Sequence, residues 1–343
     1  MAQPSQPRRG ASPLILVTLL LALLLGMALA LAACGSASTT TGATATSTTV
    51  TTTSITVTAT TSAGSATIPQ EDAPYPVQVT DDASTTSTVA KRPQRIVSTV
   101  PANTETLFAI GAGPRVVGIS SMDDFPPEAL ALPKVGTFEV NTEAVVALGP
   151  DLVVGWTGNA DALKAVKDRG VPVLLFGPKS VEAVYASIQA IGDAAGQPKA
   201  AKKLVQNIRV EMEGITNSAA DLGESPKVFY ALDNTLWTVG PGSFVDELIQ
   251  LAGATNVGAD GPQAFYQFTP EQLVAADPDM ILLPNTAFKS TDEFLKDPRF
   301  ANLRAVKDGK VVLVDDTIIT RPGPRIAEGL KSLAMSIHPG ASF

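Results

Sequence analysis

Thr142-Glu143-Ala144-Val145-Val146-Ala147-Leu148-Gly149-Pro150-Asp151-Leu152-Val153-Val154-Gly155 is matched further along by Pro270-Glu271-Gln272-Leu273-Val274-Ala275-Ala276-Asp277-Pro278-Asp279-Met280-Ile281-Leu282-Leu283. Glutamate, Val-Ala and Pro-Asp recur in register, and an apolar strand follows in both. A second echo comes later in each half. Ala165-Val-Lys-Asp168 with Val171-Pro-Val-Leu-Leu175 returns as Ala305-Val-Lys-Asp308 with Val311-Val-Leu-Val314. Two half-chains of one plan, each opening a short helix with a glutamate, imply two lobes facing something two-fold symmetric.

The same strand-then-helix rhythm fills each half. Tyr75–Thr80 alternates like an edge strand. Arg95–Ser98, Val116–Ile119, Leu152–Val154 and Val171–Leu175 read as short buried strands, with a helix over about Asn103–Ile110 that Gly111 closes. The second half gives strands at Lys227–Leu232, Met280–Leu283 and Val311–Val314. Its helices fall at Ser243–Ala252 and Arg325–Ile337. Strand-helix alternation predicts an α/β fold with central, mainly parallel sheets. Between the halves, Leu204, Val205, Ile208, Met212, Ile215, Ala219 and Leu222 recur at helical spacing, with charges on the other faces. Some 25 residues at 1.5 Å each make a helix of about 37 Å, long enough to cross the back of two lobes.

Composition narrows the function. The chain has 343 residues, 45% hydrophobic and 17% charged, enough for two domains with true cores. Net charge is −8, and about −10 once the first 33 residues, with Arg8 and Arg9 and no acids, are set aside. An acidic protein is a poor nucleic-acid binder. His338 is the single histidine, which argues against a histidine metal cluster and a Ser-His-Asp triad. Cys34 is the single cysteine, so no intramolecular disulfide exists.

Arg8-Arg9 precede an apolar run from Leu14 to Ala33 that ends in Leu31-Ala32-Ala33-Cys34-Gly35-Ser36. This is the charged-then-apolar pattern of a secretory signal. The run is long enough to span a bilayer as a helix, but its end matches the bacterial lipobox. The only cysteine falls where the diacylglyceryl group would go. Two acyl chains suffice for stable attachment, which gives an address on the outer face of the cytoplasmic membrane, lipid-anchored through Cys34. From Gly35 to Thr67 the chain is Thr, Ser, Ala and Gly without apolar period and reads as a disordered tether. The organisation expected is signal 1–33, tether 34–70, first α/β lobe 71–197, interlobe helix 198–223 and second α/β lobe 224–343.

Three longer stretches carry a resemblance. They are Arg92-Pro93-Gln94-Arg95-Ile96-Val97-Ser98, then Pro101-Ala102-Asn103-Thr104-Glu105, then Leu107-Phe-Ala-Ile-Gly111. Together with Gly118-Ile-Ser-Ser121, Asp124-Phe-Pro-Pro127, Val135-Gly-Thr137, both Pro-Asp strands and Arg321-Pro-Gly-Pro-Arg325, the chain resembles the helical-backbone substrate-binding proteins of ABC importers. The resemblance spans about residues 73–340. Ser120-Ser121, Phe125-Pro-Pro127 and Trp156 make it nearest to the vitamin B12 binders, with iron-siderophore and haem binders also similar.

This resemblance implies two lobes joined by one long α-helix, with ligand in the cleft between them and no chemistry done. Open α/β sheets bind ligands at the carboxyl ends of their strands. Those ends give Pro101, Ala102, Asn103, Met122, Trp156, Thr157, Trp237 and Arg321. Phe138, Phe265 and Tyr266, just before the two glutamate helices, complete an aromatic clamp suited to a flat macrocycle. The expected ligand is a corrinoid. A ferric siderophore or haem is the alternative, although Arg321 is the one clear cation for an anionic siderophore and Tyr266 the one well-placed haem ligand. Taken singly, Glu143 and Glu271 are first-turn acids favoured by the helix dipole. Under the resemblance they become the glutamates that dock on arginines of a permease dimer, itself driven by a cytoplasmic ATPase. The protein would act as a monomer.

Three signals fail in context. Gly111-Ala-Gly113 follows a helix instead of opening one, so it is not a dinucleotide loop. Gly240-Pro-Gly242 has no P-loop lysine. Asp123-Asp124 reads as a solvated turn. An envelope enzyme or a structural surface protein remains a remote reading, since neither explains the repeat and the aromatics together.

Overall fold

The structure is a computed structural model that describes residues 74–136 and 138–343. The signal, the tether and Cys34 lie outside the described residues, as does Thr137.

The first half opens with a hairpin of β1 (Val77–Thr80) and β2 (Thr86–Val89). Then come β3 (Ile96–Ser98), α1 (Pro101–Ala109), β4 (Val116–Gly118), α2 (Thr142–Ala147), β5 (Leu152–Trp156), α3 (Ala160–Lys167), β6 (Val173–Phe176) and α4 (Val181–Ala195). The long α5 (Pro198–Asp221) leads to the second half. There follow β7 (Lys227–Tyr230), β8 (Trp237–Val239), α6 (Phe244–Leu251), β9 (Thr255–Asn256), β10 (Phe265–Gln267), α7 (Pro270–Ala276) and β11 (Met280–Pro284). The chain closes with α8 (Asp292–Leu295), α9 (Arg304–Lys307), β12 (Val311–Val314), α10 (Asp316–Ile319) and α11 (Ile326–Ile337).

Two four-stranded sheets result, in the orders β4-β3-β5-β6 and β9-β7-β11-β12, with every pairing parallel. Read in these directions, the repeated strands β5 and β11 are third in each sheet and β6 and β12 fourth. The repeat is therefore a repeat of sheet position. Its Pro-Asp has one local task in both lobes. The Asp151 carboxylate accepts the backbone N–H groups of Gln94 (2.9 Å) and Arg95 (2.8 Å), and that of Asp279 accepts from Lys227 (2.9 Å). Each aspartate thus ties its own strand to the start of its neighbour, and a charged acceptor strengthens that tie.

Successive side chains of a strand point to opposite faces, and the cores divide accordingly. Val97, Val153, Val173 and Leu175 join Val145 of α2 and Leu163 and Val166 of α3 on one face of the first sheet. Phe229, Ile281 and Leu283 form the matching layer of the second with Phe294 and Phe300. The other faces of both sheets share one continuous core with α4, α5, α6 and α11; Leu152, Leu174, Val228 and Leu282 belong to it. The α5 helix sends Ile208, Met212 and Ile215 into this shared core and packs on α4 of one half and α11 of the other. At 24 residues it is about 36 Å long. These are two α/β lobes joined by a helical spine.

The strands missing from the sequence reading are short. β2, β8, β9 and β10 have two to four residues, too few for an alternation to register. The expected edge strand at Tyr75–Thr80 belongs to the separate hairpin. Asp81 fixes that hairpin to the first sheet by accepting the N–H of Leu175 (3.0 Å).

Candidate ligand-binding site

The loops that leave the carboxyl ends of both sheets converge on a cavity of about 750 Å3. From the first lobe come Thr99–Asn103 after β3, Ser120 and Met122 after β4, Trp156 and Thr157 from β5, and Phe176–Lys179 from β6. The second lobe contributes Leu232 after β7, the start of α6 at Ser243–Val245, Phe265 of β10, Thr286 after β11, and Asp316, Thr317 and Thr320–Pro322 around α10. The size suits a large organic ligand.

Of the residues anticipated, Pro101, Ala102, Asn103, Met122, Phe138, Trp156, Thr157, Phe265 and Arg321 line this cavity. Trp156, Phe138 and Phe265 keep 42%, 70% and 47% of their surface exposed, so their rings face open space instead of core. Asn103 is buried and gives its amide to the Gly155 carbonyl (3.0 Å), which ties α1 to the end of β5. Asn159 donates to the Phe138 carbonyl (3.1 Å) and accepts from Thr99 (3.1 Å), holding the loop that carries the Phe138 ring.

Trp237 and Tyr266 do not line the cavity, and the β8–β10 ribbon explains both. Phe265 faces Val239 across the ribbon and Trp237 faces Gln267. Trp237 therefore shares a ribbon face with Phe265 but sits roughly 7 Å further along it. Tyr266 points the opposite way. Its hydroxyl donates to the Gly258 carbonyl (2.9 Å), and its ring packs against Phe268 at a centroid distance of 5.5 Å.

Charge in the cavity differs from the simple inventory. Arg321 lines the wall, but its guanidinium is engaged by Asp124 (2.8 Å) and Glu105 (3.1 Å). Arg325 shares Glu105, with Nη2 to Oε1 at 2.7 Å, and lies over the Phe125 ring at 4.4 Å. Two arginines and two carboxylates make this group formally neutral. The Arg321 hydrogen bond holds the Asp124 carboxyl below the usual range. Asp124 is thus an ion-pair partner across the lobes, not a solvated turn. Asp123 is buried, and neither carboxyl oxygen has a hydrogen-bond partner among the described residues. Burial pushes its pKa up to about 6, with Thr104, Lys134 and Arg321 pulling the other way.

Lys179, Thr286 and Asp316 were missed by the sequence reading. All three lie just past strands β6, β11 and β12, where the strand-end rule would have found them had it been carried to every strand. Asp316 accepts from the hydroxyls of Tyr230 (2.8 Å) and Thr286 (3.2 Å), and burial raises its pKa. No His, Cys or Tyr lines the cavity among the described residues; Met122 offers the one soft thioether. A roomy, mostly apolar cleft with exposed rings from both lobes is built to hold a molecule.

Two α/β lobes on a helical spine, with a cleft at the strand ends of both, define a solute-binding protein. The chain belongs to the periplasmic binding protein family, which it matches over residues 96–317. It is a binding protein and not an enzyme. It is 35% identical to an uncharacterized ABC transporter substrate-binding lipoprotein, YvrC, of Bacillus subtilis strain 168, over 79% of this chain and 88% of that one. It is 31% identical to the vitamin B12-binding protein of Salmonella typhimurium strain LT2, over 71% and 90% of the two chains. Among solved structures it is similar to the periplasmic heme-binding protein RhuT from Roseiflexus sp. RS-1 in apo form, with 28% identity and a TM-score of 0.67, over 73% and 99% of the two chains.

Proposed function

We propose that this chain is the extracytoplasmic receptor of an ABC importer, that it captures a corrinoid between its lobes, and that it hands the ligand to a permease dimer. The observation that carries the reading is the cavity wall itself. Three exposed rings, Phe138, Trp156 and Phe265, come from both lobes and leave a wall that is mostly apolar, with serine and threonine side chains among its lining residues. Aromatic faces bury much area at little entropic cost and suit a broad macrocycle. The hydroxyls of Thr286, Thr317 and Thr320 donate to Asp316 Oδ2, Asp315 Oδ1 and the Asp316 carbonyl, so each keeps lone pairs that can accept from the amide fringe of a corrin. With Arg321 neutralised by its ion pairs, Lys179 is the one cation left on the described wall, too little for a polyanionic siderophore. The absence of His and Tyr from the described wall weighs against haem ligation. The resemblance to a vitamin B12-binding protein supports the corrinoid, and that to a heme-binding protein keeps haem as the competing ligand.

Glu143 and Glu271 fit the docking role. Each stands in the first turn of a matched helix, α2 in one lobe and α7 in the other. Asn141 caps the first by accepting from the Ala144 N–H (3.0 Å), and Thr269 caps the second. The Glu271 carboxyl is fully exposed. Its own backbone N–H and the Thr269 hydroxyl hold it below the usual range, so it stays charged. Paired surface charges steer encounter and fix register. Anchoring by a lipid on Cys34 would keep the receptor beside its partner.

The test is a titration of the lipid-free domain with cyanocobalamin, haemin and a ferric siderophore, read by calorimetry. Submicromolar binding of cyanocobalamin with weaker binding of the others is expected. Tight haemin or siderophore binding without corrinoid binding would overturn the choice of ligand.

A further inference from the structure

The cavity carries few charges, and the two lobes contribute them unequally. On the second-lobe wall stand Asp316 and Arg321. Arg321 is neutralised by Asp124 and Glu105, and Asp316 meets hydroxyls and no cation among the described residues. On the first-lobe wall the one charged residue is Lys179, in the loop between β6 and the Ser180 cap of α4. Lys179 is solvent-exposed, and its ammonium makes no ion pair or hydrogen bond among the described residues. The cavity is therefore polarised, positive at the first lobe and negative at the second.

Resting on the corrinoid reading, we infer that Lys179 is a specificity-determining residue that receives an anionic oxygen group at the edge of the ligand and so fixes which way round it lies. An anion turned towards the second lobe would meet the Asp316 carboxylate; turned towards the first, it meets a free ammonium. Lysine acts as a flexible point charge, suited to a peripheral phosphate or carboxylate on a ligand already held by its flat face. A corrinoid with a nucleotide loop has one such group, the phosphodiester. A haem has two carboxylates, and the same lysine would serve either.

The experiment compares ligands that differ in this group. Wild type, Lys179→Ala and Lys179→Glu are titrated with cyanocobalamin and with dicyanocobinamide, which lacks the phosphodiester. Thermal melts check that the variants are folded, and Lys179→Gln stands in for any that is not. Lys179→Ala should weaken cyanocobalamin binding about tenfold and Lys179→Glu more, with cobinamide changed less than about twofold. The selective loss should shrink at high salt, because the lysine is exposed. Equal losses for both ligands, or no loss for either, overturn the inference. If wild type binds neither corrinoid, the corrinoid reading fails by itself. The lysine is then judged by the same criterion on haemin and its dimethyl ester, where selective weakening of haemin upholds it and its absence overturns it.

Discussion

Arg325, at the start of α11 in the second lobe, grips Glu105 of α1 in the first through two parallel bonds, Nε to Oε2 at 2.9 Å and Nη2 to Oε1 at 2.7 Å. The Glu105 side chain is 1% exposed and that of Arg325 18%, so this bidentate pair is a buried clasp between lobes. Removing one partner strands a buried charge, which costs about 3–5 kcal/mol. Glu105→Ala should lose at least about 3 kcal/mol and lower the melting temperature by roughly 6–12 °C. A paired replacement, Glu105→Met with Arg325→Met, should recover much of that loss, because well-packed apolar groups often match a buried ion pair. Chemical denaturation of the single and double variants measures both effects. A double variant no better than the single one would refute the account.

Much of this architecture is legible in the sequence, and its limits have physical causes. The Pro-Asp strands announce themselves because a buried parallel strand is continuously apolar and its aspartate ties the next strand, so both lobes need the same phrase. The spine is legible from the spacing of Ile208, Met212 and Ile215. Of the cavity aromatics, Trp156 follows from a strand end, and Phe138 and Phe265 from their places just before the two glutamate helices. What the sequence hides is the partner of each charge. Nothing local to Arg321 reveals that Asp124 and Glu105, some two hundred residues earlier, neutralise it. Nor does Trp237 reveal a register in a three-residue ribbon that carries it past the cavity.

The two tryptophans should therefore separate in function. Trp156 lines the cavity and Trp237 does not. Trp156→Ala should weaken ligand binding by about 2 kcal/mol, roughly thirtyfold, and Trp237→Ala by less than about twofold. Gly158 gives a subtler test. A Cβ there would meet the Trp156 ring at 2.1 Å, so Gly158→Ala must push an exposed ring off its place. Binding should fall several-fold while the melting temperature hardly moves. Calorimetry and thermal melts on the same samples read both.

Asp123 makes stability depend on pH. Its folded pKa of about 6 lies above the ordinary carboxyl value, because burial disfavours the charged form. Between about pH 4 and pH 6 the folded protein thus binds more proton at this site than the unfolded chain, and stability falls as pH rises. The shift bounds the effect at about 3 kcal/mol, with about 1–2 kcal/mol expected. Asp123→Asn cannot titrate, so the stability of wild type minus that of the variant should fall as pH rises across this window and stay flat above pH 7. Urea midpoints from pH 4 to pH 8 check it; a constant difference would dismiss Asp123 as the source.

The docking role proposed for the matched glutamates is tested by separating delivery from capture. Glu143 and Glu271 lie on α2 and α7 and outside the cavity wall, so charge at these positions can change without touching the ligand. Under the proposed docking role, reversal to lysine at both would turn an attraction for basic permease surfaces into a repulsion in each lobe at once. Ligand affinity of Glu143→Lys/Glu271→Lys should stay within about twofold of wild type, and the melting temperature should drop only slightly, since a base in the first turn opposes the helix dipole by about 0.3–1 kcal/mol. Uptake by cells with the cognate permease should fall at least about tenfold, with each single reversal intermediate if both lobes dock. Uptake in the double variant equal to wild type, at unchanged ligand affinity, would remove the docking role from these residues and leave them as helix-start acids.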